Sequence, residues 1–579
     1  MKDEIKIFFK GEVEDDEETL VKYSHDASIF DVRPKLVLFP KDSEDVKNLV
    51  KWVSDNKTKY PELSITARCA GTDMSGGAIG ESIILDFTRH MNKLISFFPA
   101  ECKITVEPGM FYRDFEKITL EKGLILPCFT ASKSINAMGG MFGNNSAGER
   151  TLKYGKTEDY ILETKVVFAD GVERTIKPIP LNKISEQEKI YTKIYDLIKK
   201  NEEEIKNAKP NVHKNSAGYY IWNVVQNAQT KNSGAFALGD KRTGDPRRLE
   251  FLSERSADEP FFDLNKLLVG SQGTLGIATE ITFKLVPEPR YTRLLVVFLR
   301  DMNILPLLAN RILKYNPQSL ESYDDKTFLL VLKYIRSFAK LLGLKNFFKL
   351  IFSFWPEALM TLRHGFPKLV LLIEFTGDSQ MEADREGARA LKDLKTMKKI
   401  GLRLTKDAWE AKKYWTIRHE AFNLIRFHLT KVKSKPFIDD VIVRPEKLPE
   451  FFPALYKILD KYKKRMTFAV GGHSGDGNMH IYTLVDPKDI NLKEMIMQVS
   501  DQVYDLVVRL GGSITAEHND GLIRTPYLNK MYSENMLGIF KQIKEIFDPK
   551  NIFNPGKKVM AGDGAGNKEY MAKHITVQR

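Results

Sequence analysis

Cysteine is scarce in this 579-residue chain, and the three present, Cys69, Cys102 and Cys128, show no CxxC spacing. That excludes a disulfide framework and an encoded iron–sulfur cluster, and it fits a reducing cytoplasm. Long apolar runs are also missing: no uninterrupted stretch reaches the roughly 20 residues that a membrane-spanning helix needs. The opening MKDEIKIFFKGEVEDDEETL is acidic and has no apolar core, which argues against a secretory signal. Lys and Arg number 89 against 76 Asp and Glu, a net charge of +13, yet no basic tail collects the excess. Nucleic acid is therefore the weakest reading of the charge, behind an anionic membrane or a small anionic substrate.

What is present is a folded soluble composition, 42% hydrophobic and 28% charged, with a length that calls for two to four domains. From Pro34 to Pro289 short Val/Ile/Leu strands alternate with helical stretches, an α+β pattern punctuated by glycine-rich loops. Residues 229–262 are polar, rich in Gly and Arg and without period, and read as a surface insertion. After Pro289, the runs RLLVVFL, KLVLLIEF, DDVIVRP, MTFAVGGH and MHIYTLV are separated by helices. They predict an antiparallel sheet covered on one face. The boundaries are an N-terminal segment 1–34, a first domain 35–289, a second domain 290–557 and a loosely held tail 558–579.

The segment HSGDGNMH, 473–480, carries the most chemistry. Asp476-Gly477 between two alternating apolar runs predicts a hairpin that makes His473 and His480 cross-strand neighbours. With Glu517 from the Glu517-His518 dipeptide, two neutral imidazoles and a carboxylate form a three-ligand set for a divalent ion, with positions left open for water or substrate. His518 is adjacent, and in an extended segment neighbouring side chains point oppositely, so it would face substrate as general base.

Three further segments crowd small residues where strands end: ARCAGTDMSGG, SINAMGGMFGNNSAGERTLKYGKTEDY and VGSQGTLGIATEITF. Converging backbone N–H groups in such loops suit an anion such as a pyrophosphate. None is GxGxxG or GxxxxGK[ST], and any one alone reads equally as an ordinary turn.

In this order, AGTDMSGG, GGMFGNNSAG, YGKTEDY, GSQGTLGI, GHSGDGNMH, AEHNDG and DPKNIFNPGK resemble the FAD-linked oxidases of the vanillyl-alcohol oxidase type. More narrowly they resemble the group of D-lactate dehydrogenase, glycolate oxidase and D-2-hydroxyglutarate dehydrogenase, from about Tyr23 to Lys557. The resemblance implies an α+β fold: a two-lobed FAD-binding domain of the PCMH type and a ferredoxin-like antiparallel-sheet cap over the flavin. Arg68, Gly71, Thr72, Asp73, Met74, Ser75 and Gly76 would take the pyrophosphate. Pro127, Gly139, Gly140, Asn144, Asn145, Ala147, Gly148, Gly273, Thr274 and Ile277 would line the flavin, and Asn554 would return the C-terminus to it. The family's covalently linking histidine is missing, which implies dissociable FAD. His473, His480 and Glu517 would hold Zn, Mn or Fe; Arg418 would take a substrate carboxylate, with Asn478, Tyr482 and His518 at the substrate.

Two positions depart from the family. Asn519 replaces a glycine after Glu517-His518, a substitution that a left-handed backbone tolerates. Tyr482 stands where hydroxyglutarate enzymes have asparagine, and with Phe422 it points to a small or apolar substrate tail, D-lactate or glycolate. Residues 328–356 set Lys and Arg among Leu, Phe and Ile, which reads either as an interfacial helix at the cytoplasmic face of the inner membrane or as a buried cap helix. Longer relatives fuse an iron–sulfur module after NPGK, so quinone or a separate iron–sulfur subunit is the expected electron acceptor. Two rivals keep the fold: a non-redox flavin synthase of the alkylglycerone-phosphate type, and a noncatalytic flavin-binding subunit.

Overall fold

A computed structural model describes residues 1–226, 260–327, 329, 365–423, 433–486, 488–560 and 565–576. The expected insertion at 229–262 lies outside them except for 260–262, as does the basic stretch at 328–356 except for Leu329. Phe261–Phe262 forms a short strand between Ile179–Pro180 and Val225–Gln226.

The three largest sheets among the described residues organise the chain. The first runs Glu12–Glu14, Leu36–Phe39, Ile83–Asp86, Ile65–Arg68, with the last three strands parallel. Its crossover helix Ser43–Asn56 starts where the Asp42 carboxylate accepts from Asp45 N, and it buries Val46, Leu49, Val50 and Val53 at helical spacing against the strands. The N-terminal segment is built into this sheet through Glu12–Glu14. The second sheet is antiparallel, in the order Leu94–Phe98, Lys103–Val106, Ile277–Lys284, Ile161–Val167, Glu173–Ile176.

The third sheet belongs to the second half of the chain and is antiparallel throughout. Its order is Ile400–Leu404, Tyr291–Leu299, Leu369–Gly377, Ser319–Asp324, Met466–His473, Asn478–Val485, Lys433–Ser434. Helices Leu305–Leu313, Gln380–Leu394, Leu448–Leu459 and Leu492–Arg509 pack on one face, over Leu295, Val297 and Leu299. The sequence predicts an open second face, and the structure corrects this. Leu294, Val296 and Phe298 are also buried, with Tyr414 and Ile417 of helix Ala408–Asn423. Burial on both sides is why RLLVVFL is a continuous apolar run rather than an alternating one.

The C-terminal stretch is not a loose tail. Ile65 N donates to Ile552 O and Asn554 N to Ile65 O, which lays the stretch beside strand Ile65–Arg68. Helix Ala565–His574 then returns to the N-terminal half, where Ile575 bridges Phe30 and both Met571 and Ile575 are buried.

Candidate active site

The loop after strand Ile65–Arg68 is shaped by Asp73. Its carboxylate accepts from Ser75 N at 3.0 Å, Gly77 N at 2.6 Å and Asn144 Nδ2 at 2.9 Å. The glycine-rich helix Met138–Asn144 and the 271–277 turn close around this loop. Gln272, which the sequence did not single out, ties the three together: Nε2 donates to Ser75 Oγ and Asn144 Oδ1, and Oε1 accepts from Gly521 N. These loops line a cavity of about 930 Å³, at the large end of the ~300–1,000 Å³ typical of ligand sites.

Arg68, Gly71, Thr72, Asp73, Met74, Gly139, Gly140, Asn144, Ala147, Gly148, Gly273 and Ile277 line that cavity. Ser75, Gly76, Pro127, Asn145, Thr274 and Asn554 do not, because most are spent holding the loops. Ser75 Oγ donates to Asp73, Asn145 Nδ2 to Glu158, and Thr274 Oγ1 to Ser271 O. Asn554 Nδ2 donates to Gly77 O and Gln272 O.

At the other end of the cavity the hairpin forms as its sequence predicts. Gly477 has φ +80°, and a Cβ there would stand 1.9 Å from Val443 O, so glycine is required. His480 lies opposite Gly471 and His473 opposite Asn478, so the two histidines are diagonal neighbours, their ring centroids 5.3 Å apart. Glu517 Oε1 lies 3.2 Å from His473 Nε2 and 3.3 Å from His480 Nε2. The Glu517-His518 segment is curled, not extended. One oxygen of Asp440 accepts from the N–H groups of Ala516, Glu517 and His518 and from Thr515 Oγ1. That curl brings both side chains to the same cavity, with the His518 ring stacked on His480 at 5.1 Å. Asn519 takes φ +69°, a left-handed conformation that asparagine tolerates.

Carboxylates that the sequence reading missed stand behind the imidazoles. Glu321 Oε1 lies 2.6 Å from His473 Nδ1, and its Oε2 lies 3.1 Å from Arg418 Nη2. Asp439 Oδ1 lies 3.1 Å from His480 Nδ1, and Oδ2 lies 3.5 Å from His518 Nδ1. The doublet Asp439-Asp440 was the available signal; Glu321, in the polar run Ser319–Asp324, offered none. Tyr482 interacts with Arg418 on the same wall. Asn478, expected at the substrate, does not line the cavity; its amide donates to Asp440 Oδ1 and Val441 O, bracing the turn. The Phe422 side chain lies outside the described residues.

Residues 34–177 match the FAD binding domain family, and residues 288–558 match the C-terminal domain of FAD linked oxidases. The chain belongs to the FAD-linked oxidases. It is 24% identical to a D-2-hydroxyglutarate dehydrogenase of Pseudomonas putida over 95% of this chain and 50% of that one. It is 26% identical to glycolate oxidase subunit GlcD of Bacillus subtilis, over 92% and 91% of the two chains. With a D-lactate dehydrogenase of Anaerostipes hadrus it shares 24% over 91% and 89%. The chain spans about half the length of the hydroxyglutarate dehydrogenases of Pseudomonas putida, Haemophilus influenzae and Pantoea ananatis that it matches. Among solved structures, p-cresol methylhydroxylase with substrate bound superposes with a TM-score of 0.62 at 16% identity over 95% and 94% of the chains, a likeness of fold.

The glycine-lined end of this FAD-linked oxidase fits FAD. A Cβ added at Gly140 would meet nothing within 4 Å because it would project into open space, whereas at Gly139 it would strike Pro108 at 2.6 Å. The backbone there is bare toward the cavity and tightly backed behind. The histidine end fits a divalent cation by its donor set: two Nε2 atoms and one carboxylate oxygen converge, and each Nδ1 is backed by a carboxylate that fixes the ring.

The ionisable groups at this end shift one another's protonation. Burial opposes charge on Glu517, but Lys214 and His473 hold its carboxyl well below the usual range. Burial likewise opposes ionisation of Asp439, yet His480 and His518 bring it down to about 2. Burial would lower the His473 imidazole, but Glu321 and Glu517 together raise it. A bound cation would reverse that last preference, because it requires neutral imidazoles.

Proposed function

We propose that this chain oxidises a small D-2-hydroxy acid, D-lactate or glycolate, to its 2-oxo acid with dissociable FAD and a divalent metal. The observation that carries the reading is one continuous cavity from the glycine-rich loops to His473, His480, Glu517, His518 and Arg418. The relatives' names point to the same class of substrate.

Arg418 would hold the substrate carboxylate, for which a planar guanidinium is suited. Tyr482 beside it shortens the pocket and disfavours a second carboxylate. Asp439 Oδ2, 3.5 Å from Nδ1 of His518, would favour a proton there and leave Nε2 to accept the proton of the 2-hydroxyl. Nε2 of His473, Nε2 of His480 and Oε1 of Glu517 would hold the metal, whose contribution is to lower the hydroxyl pKa. FAD, when bound, supplies the acceptor for the hydride equivalent from the α-carbon. Quinone or a separate iron–sulfur subunit is the proposed electron acceptor, a reading supported by the relative named as an oxidase subunit. No helix among the described residues is long and apolar enough to cross a membrane. The proposed setting is cytoplasmic, with peripheral contact to the inner membrane through 328–356.

The test is anaerobic mixing of the FAD-loaded protein with D-lactate, glycolate and D-2-hydroxyglutarate, with and without chelator, following flavin absorbance. Bleaching by the two small acids, slowed by chelator, is expected. Absence of bleaching by every 2-hydroxy acid would sink the reading.

A further inference from the structure

Glu517 shows only Oε1 to the two histidines. Its other oxygen, Oε2, lies 3.0 Å from Nζ of Lys214. That lysine is 0% exposed and sits in a stretch covered by neither family match. Nζ also lies 3.3 Å from Asp476 Oδ2, and Asp476 Oδ1 lies 3.4 Å from His213 Nδ1. Asp476 reads in the sequence as a turn residue; in the fold it is 2% exposed and serves as the lysine's counter-charge.

The backbone around Lys214 is stitched to the segment that carries Glu517. Ser513 Oγ donates to Asn215 Oδ1 at 2.6 Å, Ser216 Oγ lies 3.1 Å from Thr515 Oγ1, and Gly218 N donates to Asp520 Oδ2 at 2.8 Å. Lys558 Nζ then clasps the carbonyls of Ser216 and Gly218. The ammonium therefore has a fixed origin, a fixed anchor and one carboxylate oxygen to hold.

We propose that Lys214 is a positioning residue for the cation site: anchored on Asp476, it pins Oε2 of Glu517 so that Oε1 alone faces His473 and His480. A carboxylate free to rotate could offer both oxygens and occupy a coordination position that substrate needs. A pinned one is a single-oxygen ligand. The proposal rests on the metal reading above, and it makes assembly of that site depend on residues 213–218.

At a pH well above the carboxylate range, where Glu517 stays ionised without the lysine, the sign of one substitution separates positioning from plain electrostatics. Lys214→Met removes a positive charge close to a cation site, so loss of through-space repulsion alone would tighten binding of a dication. Loss of positioning would weaken it, by about 10- to 100-fold if it resembles the loss of other residues that orient metal ligands. The measurement is titration of FAD-loaded, full-length protein with Mn²⁺, reading the free ion by electron paramagnetic resonance. Expected are weaker binding in Lys214→Met and near-parental binding in Lys214→Arg, which keeps a cationic donor. Binding by Lys214→Met as tight as the parent's, or tighter, overturns the proposal. Should Lys214→Met emerge without flavin, Asp476→Asn carries the test, because it frees the ammonium from its anchor; Mn²⁺ affinity equal to the parent's would then overturn it. A parent protein that binds no Mn²⁺ at all would instead overturn the metal reading beneath it.

Discussion

Glu321 joins the two halves of the substrate end, one oxygen on the imidazole of His473 and the other on the guanidinium of Arg418. Such pairing keeps three buried charged groups compensated where water cannot screen them. His518 is the most exposed imidazole of the set and the proposed proton acceptor. Replacing it with glutamine should lower the rate of anaerobic flavin reduction by about 10²- to 10⁴-fold. Flavin content should be unchanged, because the glycine-rich loops do not depend on this ring; single-turnover absorbance checks both.

A second residue-scale prediction concerns Asp324, fully buried at the end of strand Ser319–Asp324. Burial pushes its carboxyl up to about 6, despite hydrogen bonds from Thr327. A raised folded-state pKa means that the folded protein binds the proton more tightly than the unfolded chain does, so this group adds stability as pH falls from about 6 toward 4. Asp324→Asn cannot titrate. Its stability deficit relative to the parent should therefore be larger at pH 4 than at pH 7, as read from urea midpoints. His473, His480, Glu517 and His518 were legible in sequence because they fall in two compact motifs. Glu321, Asp439 and Lys214 were not, since each comes from a different stretch and meets the histidines only after folding.

At the scale of elements, helix Met138–Asn144 shows how a glycine pair divides its work. Gly139 permits close packing on Pro108, and Gly140 leaves the cavity open. Gly140→Leu should therefore fold and yet exclude cofactor: purified protein would carry much less FAD, with a circular dichroism spectrum matching that of the parent stripped of flavin. Full FAD occupancy in that variant would count against the assignment of this end of the cavity. The hairpin was readable because the Asp476-Gly477 turn and the alternating strands agree. The Glu517-His518 segment was misread as extended. Its curl is imposed from outside by Asp440, a long-range acceptor that no local pattern announces.

Across the whole molecule, the C-terminus closes the chain onto its beginning. Ile575 bridges Phe30, and the Phe30 ring backs Gly76 in the loop that Asp73 shapes. Ile575→Ala should cost about 2–5 kcal/mol, as for other buried large-to-small changes. It should also release flavin at a lower temperature, because the support of that loop is weakened; a fluorescence melt reads it directly. A release temperature equal to the parent's would show that the loop stands without this brace.

Local rules were enough for some of this protein. Strand ends rich in glycine, a turn that only glycine closes and two short histidine motifs are encoded by neighbours in sequence, so the α+β class and the metal-type ligand set could be read from the chain. Tertiary structure decided the rest: the covered second face of the third sheet, the curl at Glu517, the carboxylates behind the histidines and the lysine on Oε2. These are contacts between residues up to about 300 positions apart, such as Lys214 and Glu517. Burial selects them because a desolvated charge must find a partner wherever the fold brings one.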